Sequence, residues 1–285
     1  MKFKNCGAEL FVPDREPVPE AIGRTTHMAI AAHQDDLEIM AYHGILQCFA
    51  KADQWFMGVV VGDGSGSARA NLYAEYCDEA MRRVRRAEQK KAAYVGEYGA
   101  LALLDYPSCQ VKDSMNCDIL EELSEIVAAA RPEVIYTHNL ADKHDTHVSV
   151  ALRTIQALRR LPEALRPERI YGCEVWRGLD WMNDEDKVMF DVSSRPNLAA
   201  ALIGVHDSQI GGGKRYDLAT AGRRLANATY LEAHGVDEAS AYIWGMNLKP
   251  LVDNPALDID AYVQDYIRRF SLDVSERLMR LLKTE

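Results

Sequence analysis

Met28-Ala29-Ile30-Ala31-Ala32-His33-Gln34-Asp35-Asp36-Leu37-Glu38 is the stretch on which the reading of this chain turns. An apolar run of strand length, Met28–Ala32, passes directly into a polar knot. Apolar residues then resume from Leu37 to Ala50, over a length that suits a helix. The same alternation recurs downstream. Trp55–Val61 is rich in β-branched and aromatic residues and stops at Gly62-Asp63-Gly64-Ser65-Gly66, and Asp78–Val95 is charged and helical. Ala100–Leu104, Glu133–Thr137 and Ile170–Val175 read as strands, with helices over Cys117–Ala130 and Thr146–Leu161. Repeated strand–helix alternation predicts an α/β fold, a mostly parallel sheet with helices on both faces.

The second half is less regular. Val188–Val192 and Ala241–Met246 are candidate strands, and Leu198–Val205 and Leu218–Leu231 are helical. Ile259, Tyr262, Val263, Tyr266, Ile267 and Phe270 follow the i, i+3, i+4 spacing of an amphipathic helix. No Pro/Gly/Ser-rich linker divides the chain, so residues 1–285 are read as one elaborated domain, with a core over about 26–210 and an elaboration over about 211–285. The 285 residues carry 48% hydrophobic and 27% charged side chains, an ordinary globular balance. The formal charge of −10 disfavours nucleic acid and anionic lipid as partners. No secretory leader or membrane span is apparent, and the six cysteines are scattered without a C-x-x-C pair. These features suit a cytoplasmic protein with reduced thiols. The oligomeric state is left open, a homo-oligomer included.

His33, Asp35, Asp36 and Glu38 fall where the first strand gives way to the first helix. In open parallel sheets that edge binds ligands. Helix capping explains one aspartate but leaves the other and His33 unexplained. A second cluster, His138-Asn139-Leu140-Ala141-Asp142-Lys143-His144-Asp145-Thr146-His147, also follows a strand and opens a helix. His144 and His147 are three apart and can share a face. A catalytic zinc site wants three nitrogen or oxygen ligands and one open position, which His33, Asp36 and a histidine of the second cluster supply. Asp35, splayed away from its ligand neighbour, can accept a proton from a water activated by the metal.

These motifs resemble the LmbE/PIG-L family of zinc-dependent N-deacetylases. The family's A-H-P-D-D-x-E reads here Ala32-His33-Gln34-Asp35-Asp36-Leu37-Glu38, with Gln for Pro. Its D-x-H-x-D-H reads Asp142-Lys143-His144-Asp145-Thr146-His147, with Thr for Asp. Supporting matches are Val61-Gly62-Asp63-Gly64, Arg85-x-x-Glu88, Leu104-Asp105-Tyr106-Pro107 (with Ser108 for an aspartate) and His206-Asp207-Ser208-Gln209. The resemblance implies a Rossmann-like sheet, metal ligands His33, Asp36 and His147, and Asp35 as general base. It implies His144 as the second catalytic group, polarising the oxyanion or protonating the leaving amine. Zn²⁺ is the implied cofactor, and Fe²⁺ also fits. Tyr42 and His43 stand where the family has a Gly-Gly, so His43 is expected to line the pocket. Asp142 and Asp145 are both candidates to replace the aspartate lost at Thr146.

Arg69, just after the glycine-serine loop, is a candidate to bind ring hydroxyls or an anionic substituent, with a plain surface arginine as the alternative. Asp63 is a further substrate-binding candidate. Trp176 and Trp181 are candidates to stack on a sugar or to pack in the core. Gly211-Gly212-Gly213-Lys214 reads as a mobile turn. The expected activity is metal-dependent hydrolysis of an N-acyl, foremost N-acetyl, amide on a small amino sugar or glycoside. The alternatives are an amidase or esterase on a non-sugar substrate and a non-catalytic small-molecule-binding protein.

Overall fold

The computed structural model describes residues 2–282. Among them eight strands form one sheet: β1 (Glu9–Phe11), β2 (His27–Ala31), β3 (Phe56–Gly62), β4 (Ala100–Tyr106), β5 (Val134–His138), β6 (Arg169–Cys173), β7 (Val188–Asp191) and β8 (Tyr242–Asn247). The helices of the first half are α1 (Val18–Gly23), α2 (Asp36–Met40), α3 (Tyr42–Cys48), α4 (Asp78–Val95), α5 (Ser108–Lys112), α6 (Asp118–Ala130) and α7 (Asp145–Arg160). Those of the second half are α8 (Pro196–Gly204), α9 (Asp207–Ile210), α10 (Tyr216–Thr229), α11 (Lys249–Asp253) and α12 (Ile259–Leu282).

The sheet runs β1-β4-β3-β2-β5-β6-β8-β7. Its five middle strands, β4 to β6, are parallel, whereas β1 and β8 run antiparallel to their neighbours. The first parallel strand, β2, lies in the middle. The chain leaves it on one side through β3 and β4 and returns to its other side at β5. That is the doubly wound order of a Rossmann-type sheet, as the resemblance implied, and the reversal between β2 and β5 opens a crevice at their carboxyl ends. Both histidine- and aspartate-bearing clusters lie at that crevice.

Strand periodicity explains why both faces are covered. Met28, Ile30 and Ala32 enter one core while Ala29 and Ala31 enter the other. Met57, Val59 and Val61 of β3 join the first core, and Phe56 and Val60 join the second. A strand buried on both faces must be apolar throughout, which is why these runs do not alternate.

The helix expected over Leu37–Ala50 is broken at Ala41, where φ and ψ are −112° and 19°. Arg224 supplies the reason. Its Nη2 donates to the carbonyls of Glu38 (2.7 Å) and Ile39 (3.2 Å), which the amides of Tyr42 and His43 would take in an unbroken helix. β1 was not anticipated; three residues pairing antiparallel with β4 are too few to show a period. β8, near the end of the chain, lies inside the sheet between β6 and β7.

Gly62 ends β3 against the turn that follows β2. Its N–H donates to Ala32 O at 2.9 Å, and a Cβ built there would lie 2.5 Å from that oxygen. Gly62→Ala should therefore lower stability by about 1–3 kcal/mol, the usual cost of overpacking. Gly222 lies inside α10, where a Cβ would meet nothing within 4 Å. Gly222→Ala should stabilise by roughly 0.5–1 kcal/mol through helix propensity. Urea unfolding of both variants checks the pair of signs; a neutral Gly62→Ala would mean that the strand ends can separate freely.

Candidate functional site

After β2 the chain turns sharply at Asp35, which adopts φ 87° and ψ −30°. A non-glycine residue there is strained, and the surroundings hold it in place. The Asp35 N–H donates to Gln89 Oε1 at 3.0 Å. Arg85, buried in α4, donates through Nη2 to Gln34 O and to Asp35 Oδ2, the latter at 3.1 Å. The turn sends two consecutive carboxylates in different directions. Asp35 points to Arg85. Asp36 folds back, and its Oδ2 accepts the His33 N–H at 2.8 Å.

The second cluster arrives from β5 and the first turn of α7. Three donor atoms converge: His33 Nδ1 lies 3.2 Å from Asp36 Oδ2 and 3.1 Å from His147 Nε2, and the latter is 3.3 Å from Asp36 Oδ2. A tetrahedral zinc ion about 2.0–2.1 Å from each donor would hold them roughly 3.3–3.4 Å apart. The arrangement therefore fits a small divalent ion, with donor chemistry of two imidazoles and one carboxylate. His144 is close by, its ring centroid 5.0 Å from that of His33 and 4.6 Å from that of His147.

Burial alone would raise the Asp36 carboxyl, but His147, His138 and His33 hold it well below the usual range. Burial likewise opposes protonation of His147; Asp36 and Asp142 outweigh it and raise that imidazole. The Asp35 carboxyl is pushed up by burial, an effect that Arg85 only partly offsets and neighbouring Asp36 reinforces. His144 is lowered to about 4 by burial and by the facing imidazoles of His147 and His33.

His138, not among the residues expected to act, proves central. Its Nε2 accepts the Ala32 N–H at 2.9 Å, ties β5 to the end of β2, and lies 3.5 Å from Asp36 Oδ2, while its ring stacks on His147 at 3.9 Å. The signal was its place as the last residue of a strand opening the histidine cluster. Of the two aspartates that could stand in for the one lost at Thr146, Asp142 lies beside the histidines. Its Oδ1 accepts the His144 N–H at 3.0 Å, its Oδ2 accepts the Trp176 N–H at 3.1 Å, and that second oxygen lies 3.6 Å from His147 Nδ1. Thr146 pairs instead with Ser108, hydroxyl to hydroxyl at 2.8 Å.

A cavity of about 410 Å³ opens over the centre, lined by His33, Asp35, Asp36, Asp63, His144 and Trp176 among others. Two expected binding residues are elsewhere. The Arg69 guanidinium is absorbed by Ser65 O, Tyr76 O and Asp78, and Arg69 does not line the cavity. His43 points to the opposite side of α3, bonded to the Tyr136 hydroxyl at 2.8 Å and stacked on Phe190 at 4.6 Å. The pocket is thus not narrowed by the residues that replace the family's Gly-Gly. Asp63 does line the cavity, with Oδ1 turned to the Ser65 N–H and hydroxyl. In the glycine turn, Asn71 Nδ2 donates to Gly211 O at 3.0 Å and the Lys214 N–H donates to Gln209 O at 2.8 Å.

Fold and site together define a Rossmann-type α/β protein with a histidine–aspartate centre at the switch point of its sheet. The family resemblance read from the two motifs holds: residues 28–158 match the family described as PIG-L, GlcNAc-PI de-N-acetylase. No curated protein sequence matches the chain. Among solved structures, a 4-carboxy-2-hydroxymuconate hydratase from Pseudomonas putida aligns with TM-score 0.60 and 19% identity, over 78% of this chain and 95% of its own. An N,N'-diacetylchitobiose deacetylase from Pyrococcus horikoshii aligns with TM-score 0.59 and 15% identity, over 77% and 83%. The zinc-inhibited form of a teicoplanin deacetylase aligns with TM-score 0.51 and 12% identity, over 77% and 97%. At such identities the structural likeness establishes the mostly parallel α/β fold, not the reaction.

Glu38, the last acid of the first motif, faces away from the cavity. Its carboxylate accepts from Gln89 Nε2 (2.7 Å) and the Tyr98 hydroxyl (2.6 Å), and its other oxygen meets His206 Nε2 at 3.1 Å. Ser208 is tied to Glu88 by N–H and hydroxyl at 2.6 and 2.7 Å. Two of the supporting motifs, Arg85-x-x-Glu88 and His206-Asp207-Ser208-Gln209, therefore join Glu38 in one buried lattice that fixes α2, α4 and α9 together. Glu38→Ala should cost about 3 kcal/mol or more, since it strands several buried partners, and Glu38→Gln should cost less. Denaturant melts measure this. A loss in Glu38→Ala within about 0.5 kcal/mol, typical of surface changes, would show that the lattice is dispensable.

Proposed function

We propose that this chain is a metal-dependent hydrolase that removes an acyl group, acetyl foremost, from the nitrogen of a small amino sugar or glycoside. The observation that carries the reading is the convergence of His33 Nδ1, Asp36 Oδ2 and His147 Nε2 within 3.1–3.3 Å of one another, at a cavity lined by His33, Asp36, Asp35 and His144. The PIG-L match over residues 28–158 and the deacetylases of the same fold support it. His33, Asp36 and His147 would hold the ion. A divalent ion bound there supplies Lewis acidity toward the acyl carbonyl and toward water.

The remaining chemistry falls to two side chains. Asp35 is held beside Arg85 and away from the ligand set, free to take a proton from the attacking water. Burial raises its carboxyl, and a divalent cation beside it would draw it back down and keep it ionised. Water oxygen bonds to the acyl carbon, the C–N bond breaks, and the proton held by Asp35 passes to the departing nitrogen. The products are a carboxylic acid and an amine, which near pH 7 become a carboxylate and an ammonium ion. His144, lowered to about 4, is neutral near pH 7, and a cation beside it would lower it further. It therefore acts as an N–H donor to the oxygen that gains charge, not as an imidazolium acid. Its backbone is fixed by Asp142 for that task.

A metal-dependent amidase or esterase on a non-sugar substrate would use the same residues. The hydratase of this fold keeps that alternative in view, because it shows that the scaffold is not confined to deacylation. A non-catalytic binding protein would have no use for Asp35. Among the described residues no helix is long and apolar enough to cross a membrane. A cytoplasmic setting and a partner list without nucleic acid remain part of this proposal, resting on the acidic composition.

Two sets of measurements test the reading. Purified protein should contain about one divalent ion per chain, and Asp36→Ala and His147→Ala should each lose most of it. Stoichiometric metal in both variants would overturn the ligand set. Reconstitution should compare Zn²⁺ with Fe²⁺ over a range of loading. Activity is read as acetate and free amine released from a panel of N-acetyl sugars, simple amides and esters. Asp35→Ala should keep its metal yet lose roughly 10²–10⁴-fold in kcat, and His144→Ala should also fall without losing metal. Full activity in Asp35→Ala would remove it as the base.

A further inference from the structure

We propose that Lys214 is the anion-binding residue of the cavity, and hence that the substrate carries a phosphate or carboxylate group beside the part that rests on Trp176. The inference deepens the deacylase reading and rests on it only for the identity of the reacting amide.

Two cationic side chains of the lysine–arginine type line the cavity, Arg85 and Lys214. Arg85 is committed to Asp35 and Glu88, and Arg69 nearby is committed to Asp78. Among the described residues Lys214 makes no ion pair with any carboxylate; its ammonium instead lies 4.9 Å from the centroid of the Trp176 ring. A half-buried ammonium over an indole keeps only part of its stabilisation, and an oxyanion is its natural partner.

The backbone beneath Lys214 is built, not loose. Gly213 takes φ +104°, open to glycine at little cost, and a Cβ on Gly212 would lie 2.0 Å from Ser208 O. The side chain is thus delivered from a fixed turn to the cavity wall. Trp176 joins it to the chemistry. The His144 ring lies 6.3 Å from the Trp176 ring and nearly parallel to it at 18°, while Tyr216 meets the indole edge-on at 6.1 Å. One aromatic plate therefore neighbours both the catalytic imidazole and the unpaired ammonium. A substrate that reaches from His144 to Lys214 would therefore pass along the indole.

Charge makes the assignment functional. The chain carries a net −10, and Asp35, Asp36 and Asp63 all line the cavity. A divalent ion on His33, Asp36 and His147 would be offset by Asp36 and turned to the reacting carbonyl, so a second, anionic group of the substrate needs a further cation that no protein carboxylate has already neutralised. Lys214 meets that condition, and its compact ammonium suits phosphate or carboxylate equally.

The test uses the metal-loaded protein and four probes: N-acetylglucosamine, its 1-phosphate, its 6-phosphate, and N-acetylmuramic acid. Calorimetric affinities are measured for wild type, Lys214→Met and Lys214→Arg, with inorganic phosphate as control. At least one anionic probe should bind wild type about tenfold or more tightly than the neutral sugar, a preference that weakens with salt. Lys214→Met should abolish that preference, and Lys214→Arg should retain part of it. Equal affinities for neutral and anionic probes in wild type would overturn the proposal. So would a preference unchanged in Lys214→Met, which would place the anion on the metal. Acetate release from the same samples separates the two readings. A Lys214-dependent preference without acetate release defeats the deacylase reading alone. Acetate release with no such preference defeats the Lys214 proposal alone.

Discussion

The site depends on one backbone constraint, the left-handed turn at Asp35. Asp35 stands just outside the helix that Asp36 opens. With φ at 87° they part, one toward Arg85 and the other into the imidazoles. Such a conformation costs on the order of 1–3 kcal/mol, and each well-made hydrogen bond returns about 1 kcal/mol. Gln89 and Arg85 hold the turn directly, from a helix that begins more than forty residues later. Glu38 grips Gln89 in turn, and Glu88 grips Ser208. The long charged helix α4 is on its buried side the clamp for this turn.

The parts of the fold that were legible are those governed by local pattern. The expected helix over Asp78–Val95 has those bounds in the structure, and the parallel strands β2 to β6 lie within about two residues of the apolar runs that announced them. Strands buried on both faces leave an unambiguous trace, because every position must be apolar. What escaped is what distant partners decide. The break at Ala41 has no proline or glycine to announce it; it exists because Arg224 reaches across from α10 to two carbonyls. The place of β8 between β6 and β7 follows from tertiary packing, and nothing within six residues encodes it.

The same division runs through the site. Which residues gather at the crevice was legible, because the ends of adjacent parallel strands must meet. Side-chain direction was not. Arg69 follows the right loop, but Asp78 and two carbonyls compete for its guanidinium and win. His43 follows the right motif, but the broken helix turns it toward Tyr136 and Phe190. His138 was visible as part of a cluster, yet its service as an acceptor for the Ala32 N–H depends on the spacing of β2 and β5, which no linear reading supplies.

The departures from the family pattern become intelligible when two of them are taken together. Ser108 and Thr146 each stand where the resemblance expects an aspartate, and the structure places their hydroxyls 2.8 Å apart on the cavity wall. Replacing only one would have left a carboxylate facing a hydroxyl; replacing both yields a neutral, self-satisfied pair. The steadying that one aspartate would give passes to Asp142, which holds the His144 N–H and lies beside His147. The electrostatic result is a wall with two fewer negative charges than the family pattern would give it. Repulsion between like charges at 4 Å is about 4 kcal/mol at an effective dielectric of 20, so the loss of even one carboxylate from a wall that faces substrate changes which ligands can approach. A neutral hydroxyl pair on one part of the rim and an unpaired ammonium on another both lower the cost of bringing in an anion. Two independent features of the sequence, neither belonging to the proposed metal ligands or base, would thus bias the same cavity toward the negatively charged substrate proposed above.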